Sequence, residues 1–436
     1  MGPVLAALSA ALLASPSPSP AGHTVLRTLG VSLGRGAEVV AAVQARCRRC
    51  DWGRAGREAA VLRLSLDGRY SQHLVLARGS GTYRVALGGL DAGEHHLEIA
   101  LERGLSCRGV GRVDVEDVSI EPAAAGSPEE EALRHAPLLY LRPDTLVRFT
   151  DVPLVLWYES EPAPPGRRLR YSVVFSNEDG GTPPDRLMAT WGRTTDIEFV
   201  YGVEVDEHDT ILAEEFQGPG HEVPPFKGQH EGTHPLLWVS TDNNMVSESG
   251  TTTVRYAPAA VRYDLTNQSR EVVMDRHPWT YTVTAQEMIR EGKIADDAAP
   301  ASGKIPDLRR YVHVEACTEL ENAAVAFSVR ATDDSGAARW YDSDRGVREF
   351  RIVRSDCFRG AVPLPASAGR PNAIRVRAYS RPQKDATTAP AAVVLTRVNT
   401  VFTVDGQYQP GPPLFSWVGS IPLPLDGDWQ VLPFVR

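Results

Sequence analysis

The sequence predicts an all-β protein: tandem antiparallel β-sandwich domains, with one short helix near residues 284–294. Three observations carry that expectation. Glycine and proline are abundant, 37 and 33 in 436 residues, and helix interiors tolerate neither well. Apolar residues recur at every second position through short runs, the period of a half-buried strand. Turn-forming residues punctuate those runs at the spacing of a sandwich. At 42% apolar and 23% charged residues the composition is globular, and the length allows two to four domains.

Residues 1–21 read as a signal peptide. A run of small apolar residues covers 4–14, Ser-Pro repeats follow, and the segment ends at Ala21. The residues before the run, Met1, Gly2 and Pro3, carry no positive charge. The run is too short to span a bilayer. With no other candidate transmembrane segment, a secreted or cell-envelope location is expected.

Residues 22–121 follow as an N-terminal β-sandwich, with strand-like runs at 60–70, 73–79, 82–90 and 95–104. Leu62, Leu64 and Leu66 alternate in the first of these, as the buried face of an antiparallel sheet requires. Residues 122–131, PAAAGSPEEE, read as a linker by composition. A second β-rich domain covers 132–264. A third covers 265–436, with strands expected at 311–317, 324–331, 348–354, 373–380, 392–398 and 429–435. Its helix is expected at 284–294, where Thr284 can cap, Glu287 completes a capping box and Gly292 stops the helix.

Five cysteines are present. In an exported chain Cys317 and Cys357 are expected to pair, and Cys47, Cys50 and Cys107 to give one disulfide and one leftover thiol. Cys47-x-x-Cys50 lacks the βαβ surroundings of a redox motif. A zinc site there would need His73, His95 or His96 as a fourth ligand.

The net charge of −9 argues against a nucleic-acid partner, which wants a basic face. His230-Glu231-Gly232-Thr233-His234 matches the HExxH zinc pattern in letters, but that chemistry needs a helix. Gly232 lies inside the motif and Pro235 follows it, so a loop entering a strand is expected and zinc is not. There is no nucleophile elbow, dinucleotide fingerprint or phosphate-loop lysine motif.

The candidate site lies in 171–201, YSVVFSNEDGGTPPDRLMATWGRTTDIEFVY. Asp196 and Glu198 stand two apart on an extended run, which would send both carboxylates to one face of a sheet. Glu178 and Asp179 end the preceding run. If the runs are neighbours, four carboxylates line one edge, and hard oxygen ligands suit calcium or magnesium. Thr241, Asp242, Asn243 and Asn244 could add oxygens. Two other readings compete: solvated acids paired to Arg193 or another arginine, and paired carboxylates for glycoside hydrolysis.

Three segments in order resemble the vacuolar protein sorting-associated protein 62-like family, over about residues 132–256. They are HAPLLYLRPD from His135 to Asp144, TDIEFV from Thr195 to Val200, and HPLLWVS from His234 to Ser240. The resemblance implies a β-sandwich. By more distant analogy it implies the fold of necrosis-inducing secreted proteins, which carry a cation at an acidic strand, with Asp196 and Glu198 as the matching ligands. Two places depart from that pattern. Ile197 stands where an aromatic is expected, and 241–244 replaces a Gly-Ser-His segment. The combined expectation is an exported binding protein with an acidic cation site, recognising a surface carbohydrate, lipid headgroup or protein. A secreted hydrolase and a ligand-free structural envelope protein are the alternatives.

Overall fold

The computed structural model describes residues 23–333, 335–381 and 391–432. The signal-peptide reading of 1–21 and the end of the 429–435 run lie outside them. The chain divides into two compact units. Unit 1 takes the chain up to Asp179 together with Asp196–Asp264; unit 2 takes Gly180–Thr195 with Leu265 onward. The segments read from sequence as 22–121 and 132–264 thus fall together in unit 1. Among the described residues, no helix is long and apolar enough to cross a membrane.

The all-β expectation holds. In unit 1 a four-stranded sheet runs in the order His23–Leu33, Gly93–Glu102, Val61–Leu66, Arg69–Val75, and a three-stranded sheet in the order Ser80–Leu90, Ala37–Cys47, Val113–Pro122. Leu62, Leu64, Leu97 and Ile99 are fully buried, as their alternation requires. The expected run 60–70 is not one strand. Asp67 (φ 52°) and Gly68 (φ 75°) turn the chain between Val61–Leu66 and Arg69–Val75, and Asp-Gly with both φ positive is the turn that suits a two-residue hairpin.

A five-stranded sheet of unit 1 orders Ile211–Phe216, Asp196–Val205, Gly166–Phe175, Pro153–Ala163 and Val261–Arg262. Another joins His230–Glu231, His234–Val239, Leu138–Tyr140 and Arg255–Tyr256, with Val246–Ser247 paired to His234–Val239 as the fifth strand. Two pairs are parallel rather than antiparallel: Leu138–Tyr140 with His234–Val239, and Val261–Arg262 with Pro153–Ala163. The linker reading of 122–131 is half corrected. Helix Pro128–Arg134 begins inside it, with Pro128 in its first turn and the Ser127 side chain accepting from the Glu130 amide.

Unit 2 is built on two four-stranded sheets. One orders Asp356–Pro363, Tyr311–Glu321, Ala392–Thr403 and Phe415–Pro422; the other orders Ala338–Asp342, Ala323–Thr332, Ala373–Ser380 and Gln430–Val431. Val312, Val314, Phe327, Phe358, Val376 and Leu395 meet in one core cluster, each fully buried. The expected strand at 348–354 is absent. Arg348–Phe350 forms a single 3-10 turn, and the strand is Asp356–Pro363 instead. Gly360 within it looks foreign to a strand, but a Cβ there would lie 2.9 Å from the Ala189 carbonyl oxygen. Glycine is what lets helix Pro184–Trp191 approach that strand.

The expected helix at 284–294 is also corrected. The helix is Trp279–Arg290, entered through Pro278. Thr284 and Glu287 are interior and buried rather than capping. Packing wins over the weak propensity of the β-branched and aromatic first half. Gly292, at φ 67°, closes the helix as expected.

Both disulfide expectations match the fold. Cys317 and Cys357 are bonded and stand directly opposite each other on paired strands. Cys47 is bonded to Cys50, and Cys107 is left free and buried. Burial pushes the Cys107 thiol above its ordinary pKa, so it is an inert thiol rather than a reactive one.

Candidate functional site

The stretch 196–205 is extended, and its neighbour is the run expected from sequence. Asp196–Val205 pairs antiparallel with Gly166–Phe175, placing Asp196 opposite Phe175 and Glu198 opposite Val173. The register is regular between 196 and 198, since its only shift falls opposite Tyr171 and Ser172. The two carboxylates therefore leave one face of the sheet. Asp196 is 1% exposed and Glu198 9% exposed.

Buried carboxylates need partners, and here amides supply them. Asn244 Nδ2 donates to Asp196 Oδ2 at 3.0 Å and to the Asn177 carbonyl at 3.3 Å. The Ile197 amide donates to Asp196 Oδ1 at 2.9 Å. Gln217 Nε2 donates to Glu198 Oε2. Asn244 itself is 0% exposed, at φ 58°, a left-handed turn position that asparagine tolerates. Its Oδ1 is buried and has no hydrogen-bond partner. An orphaned buried oxygen of this kind is costly, and it sits on the amide that touches Asp196.

Glu178 and Asp179 go elsewhere. Glu178 is buried at 8% exposure. Asp179 accepts from Arg142 Nη2 at 2.9 Å, Arg148 Nη1 at 2.9 Å and Thr150 Oγ1 at 2.9 Å. Arg142 also pairs with Asp151 and Asp242. Burial works against its charge, but the carboxylates outweigh it and hold the guanidinium above its ordinary pKa. Asp179 is thus an arginine partner, and the expected four-carboxylate edge splits into an arginine cluster and an amide-capped pair. Arg193, the expected partner for the pair, turns to Glu271 at 3.2 Å within unit 2.

Among the described residues, no group of three or more His, Cys, Asp or Glu is placed to hold a metal. Asp196 and Glu198 offer carboxylate oxygens, the hard donors that suit calcium or magnesium rather than zinc, and Asn244 faces Asp196 through Nδ2. The HExxH letters fold as a hairpin: His230–Glu231 and His234–Val239 pair across Gly232. His230 meets Glu214 at 2.7 Å, while His234 Nδ1 meets the Ala136 carbonyl at 3.0 Å.

Unit 1 also carries two wide clefts, of about 810 and 850 Å³, within the range of ligand sites. The first is lined by Arg142, Leu146, Phe149 and residues 251–254 among others; the second by Tyr70, Tyr140, Glu231 and Arg255 among others. Neither has Asp196 or Glu198 in its lining. Of the segment 241–244, expected to add oxygens, only Asn244 touches Asp196, and it does so through Nδ2, while Asp242 pairs with Arg142. Sequence reading missed Gln217, Arg142 and Tyr140, whose partners lie 19 to 100 residues away or across a sheet.

No family model matches the chain, and no curated protein matches it. Among solved structures it is similar to NLPPya in complex with mannosamine, at 11% identity, over 42% of this chain and 86% of that one, with a TM-score of 0.24. It is similar to the EclA C-terminal domain, a sugar-binding protein, at 19% identity over 23% and 64%, with a TM-score of 0.16. It is also similar to the tandem CBM51 modules of the family 98 glycoside hydrolase Sp3GH98 from Streptococcus pneumoniae SP3-BS71, at 9% identity over 86% and 81%, with a TM-score of 0.16. The β-architecture described above rests on the strand pairing itself.

Proposed function

We propose that this protein is an exported carbohydrate-binding protein, and that a divalent cation, calcium or magnesium, is held by Asp196, Glu198 and Asn244. The observation that carries the cation is the Asn244 oxygen, buried and without a hydrogen-bond partner, on the amide whose nitrogen donates to Asp196. A bound cation would satisfy that oxygen and neutralise the paired carboxylates. The two disulfides support an oxidising compartment. Binding is favoured over hydrolysis because a carboxylate at 1% exposure does not reach a glycosidic bond, and neither wide cleft includes the pair. The second cleft, with Leu66 and Leu87 as its aliphatic lining, suits a hydroxyl-rich ligand better than an acyl chain.

The test is thermal melting of the purified chain with EDTA, calcium, magnesium or zinc. At a hundredfold excess over Kd, calcium or magnesium stabilises the fold by ~2.7 kcal/mol. Asp196→Asn abolishes the gain. Identical melts of the wild type in EDTA and in both ions would end the cation reading. Turnover of chromogenic glycosides by the wild type, lost in Asp196→Asn, would replace binding with hydrolysis.

A further inference from the structure

The second cleft has a floor built from unrelated parts of the sequence. Trp238 is the register partner of Tyr140 on one side, and Arg255 is its register partner on the other. Paired residues share a sheet face, so Trp238, Tyr140 and Arg255 form one row across three strands. The Tyr140 and Trp238 rings are stacked, 4.5 Å apart and 11° from parallel. The row continues into Tyr70, whose hydroxyl accepts from the Arg255 amide at 3.0 Å and whose ring lies 5.9 Å from the Arg255 guanidinium. Of this row Tyr140, Arg255 and Tyr70 line the cleft, while Trp238 lies outside the lining and backs Tyr140. Tyr140 and Arg255 stand on adjacent strands about 4.8 Å apart, roughly the width of one pyranose ring, and Tyr70 extends the floor beyond them.

Charged planar groups ring this platform in matched numbers. Asp67 and Glu231 supply carboxylates, Arg69 and Arg255 guanidinium groups. Three of the four are held in place: Glu231 Oε2 accepts from Arg255 Nη1 at 2.5 Å, and Asp67 accepts from His95 Nδ1 at 2.8 Å and the His96 amide at 2.7 Å. An aromatic ring receives the apolar C–H face of a sugar. Carboxylates and guanidinium groups make charge-assisted hydrogen bonds to hydroxyls, donating and accepting in the same plane. The balance of two acids and two bases gives no field that selects a phosphate or a polyanion. Only Leu66 and Leu87 are aliphatic in the lining, too few to seat an acyl chain.

We propose that this cleft, floored by Tyr140 and Tyr70 and edged by Asp67, Glu231 and Arg255, binds a neutral oligosaccharide. The assignment rests on the carbohydrate reading above but not on the cation, whose site uses none of these residues. The experiment presents the full chain to an array of neutral oligosaccharides of the glucan, xylan and mannan types, then titrates the best binder by calorimetry. Tyr140→Ala weakens binding by about tenfold or more, as loss of a central aromatic contact does. Glu231→Gln, at a side chain 59% exposed and safe for folding, weakens it measurably with an unchanged melt. EDTA leaves both results as they are.

Three outcomes overturn the assignment. The array retains no neutral sugar. Or a sugar binds and both variants match the wild type. Or binding disappears with EDTA and in Asp196→Asn while Tyr140→Ala and Glu231→Gln still bind; this moves the sugar to the cation and leaves the carbohydrate reading standing.

Discussion

Arg359→Met is expected to destabilise unit 2 by about 3–5 kcal/mol, the loss seen when one partner of a buried ion pair is removed. Arg359 is 0% exposed. Its guanidinium grips Asp275 with both nitrogens, at 2.8 and 2.6 Å, and reaches Glu315 Oε2 at 2.6 Å and the Tyr281 hydroxyl at 2.6 Å. Glu315 is its register partner on the neighbouring strand and is itself 1% exposed. Methionine keeps most of the volume but leaves Glu315 without the counter-charge that Arg359 supplies. Adding Glu315→Gln to Arg359→Met is expected to recover part of the loss, because the deficit is an unpaired charge rather than a cavity. Denaturant unfolding of the full chain, followed through the unit 2 transition, measures both. A loss below about 1 kcal/mol in the single variant, or no recovery in the double, removes the network from the stability of the unit.

The second large effect is a pH dependence centred on Glu38. This residue lies on strand Ala37–Cys47 at 7% exposure, with His234 Nε2 3.7 Å from its carboxyl. Burial pushes the carboxyl from an ordinary 4.5 up to about 7, with Arg134 opposing and Glu130 reinforcing the shift. His234 does little to offset this, because burial lowers its own pKa. A carboxyl raised in the fold binds more protons folded than unfolded. Its favourable contribution is complete below about 4.5 and is lost as pH rises through about 7. Ionised Glu38 then costs ~3 kcal/mol. Glu38→Gln is expected to be more stable than wild type by that order at pH 8, equal to it near pH 4, and flatter between. Parallel stability curves for the two proteins across that range would rule the effect out.

The strands were legible where local pattern suffices. Ala373–Ser380 is read off the sequence to the residue, because AIRVRAYS alternates without interruption. Where a residue serves a distant neighbour, pattern misleads. Gly360 breaks the strand signal of Asp356–Pro363 to admit a helix backbone, and the more regular 348–354 took its place in the reading. In 60–70 the alternation continued through Asp67-Gly68, so the turn was hidden by the regularity on either side. The helix at Trp279–Arg290 was half seen, because its first half carries strand-favouring residues that only burial of Tyr281 and Val283 overrides.

The candidate site divides the same way. That Asp196 and Glu198 share a face follows from their spacing on a strand. That Asp179 would be taken by Arg142 and Arg148, and that Asn244 would turn its amide onto Asp196, does not.

Sequence by itself determined the β class, the Cys317–Cys357 pair and the extended acidic strand, while the choice of partners among Cys47, Cys50 and Cys107 was left to the structure. Each of those depends on residues near in the chain or on simple parity. The tertiary structure decided which carboxylates found arginine, which found an amide, and that Tyr70, Tyr140, Trp238 and Arg255 lie in one row. Those contacts span up to 185 residues, and a local period of two carries no record of which strand comes to lie beside which.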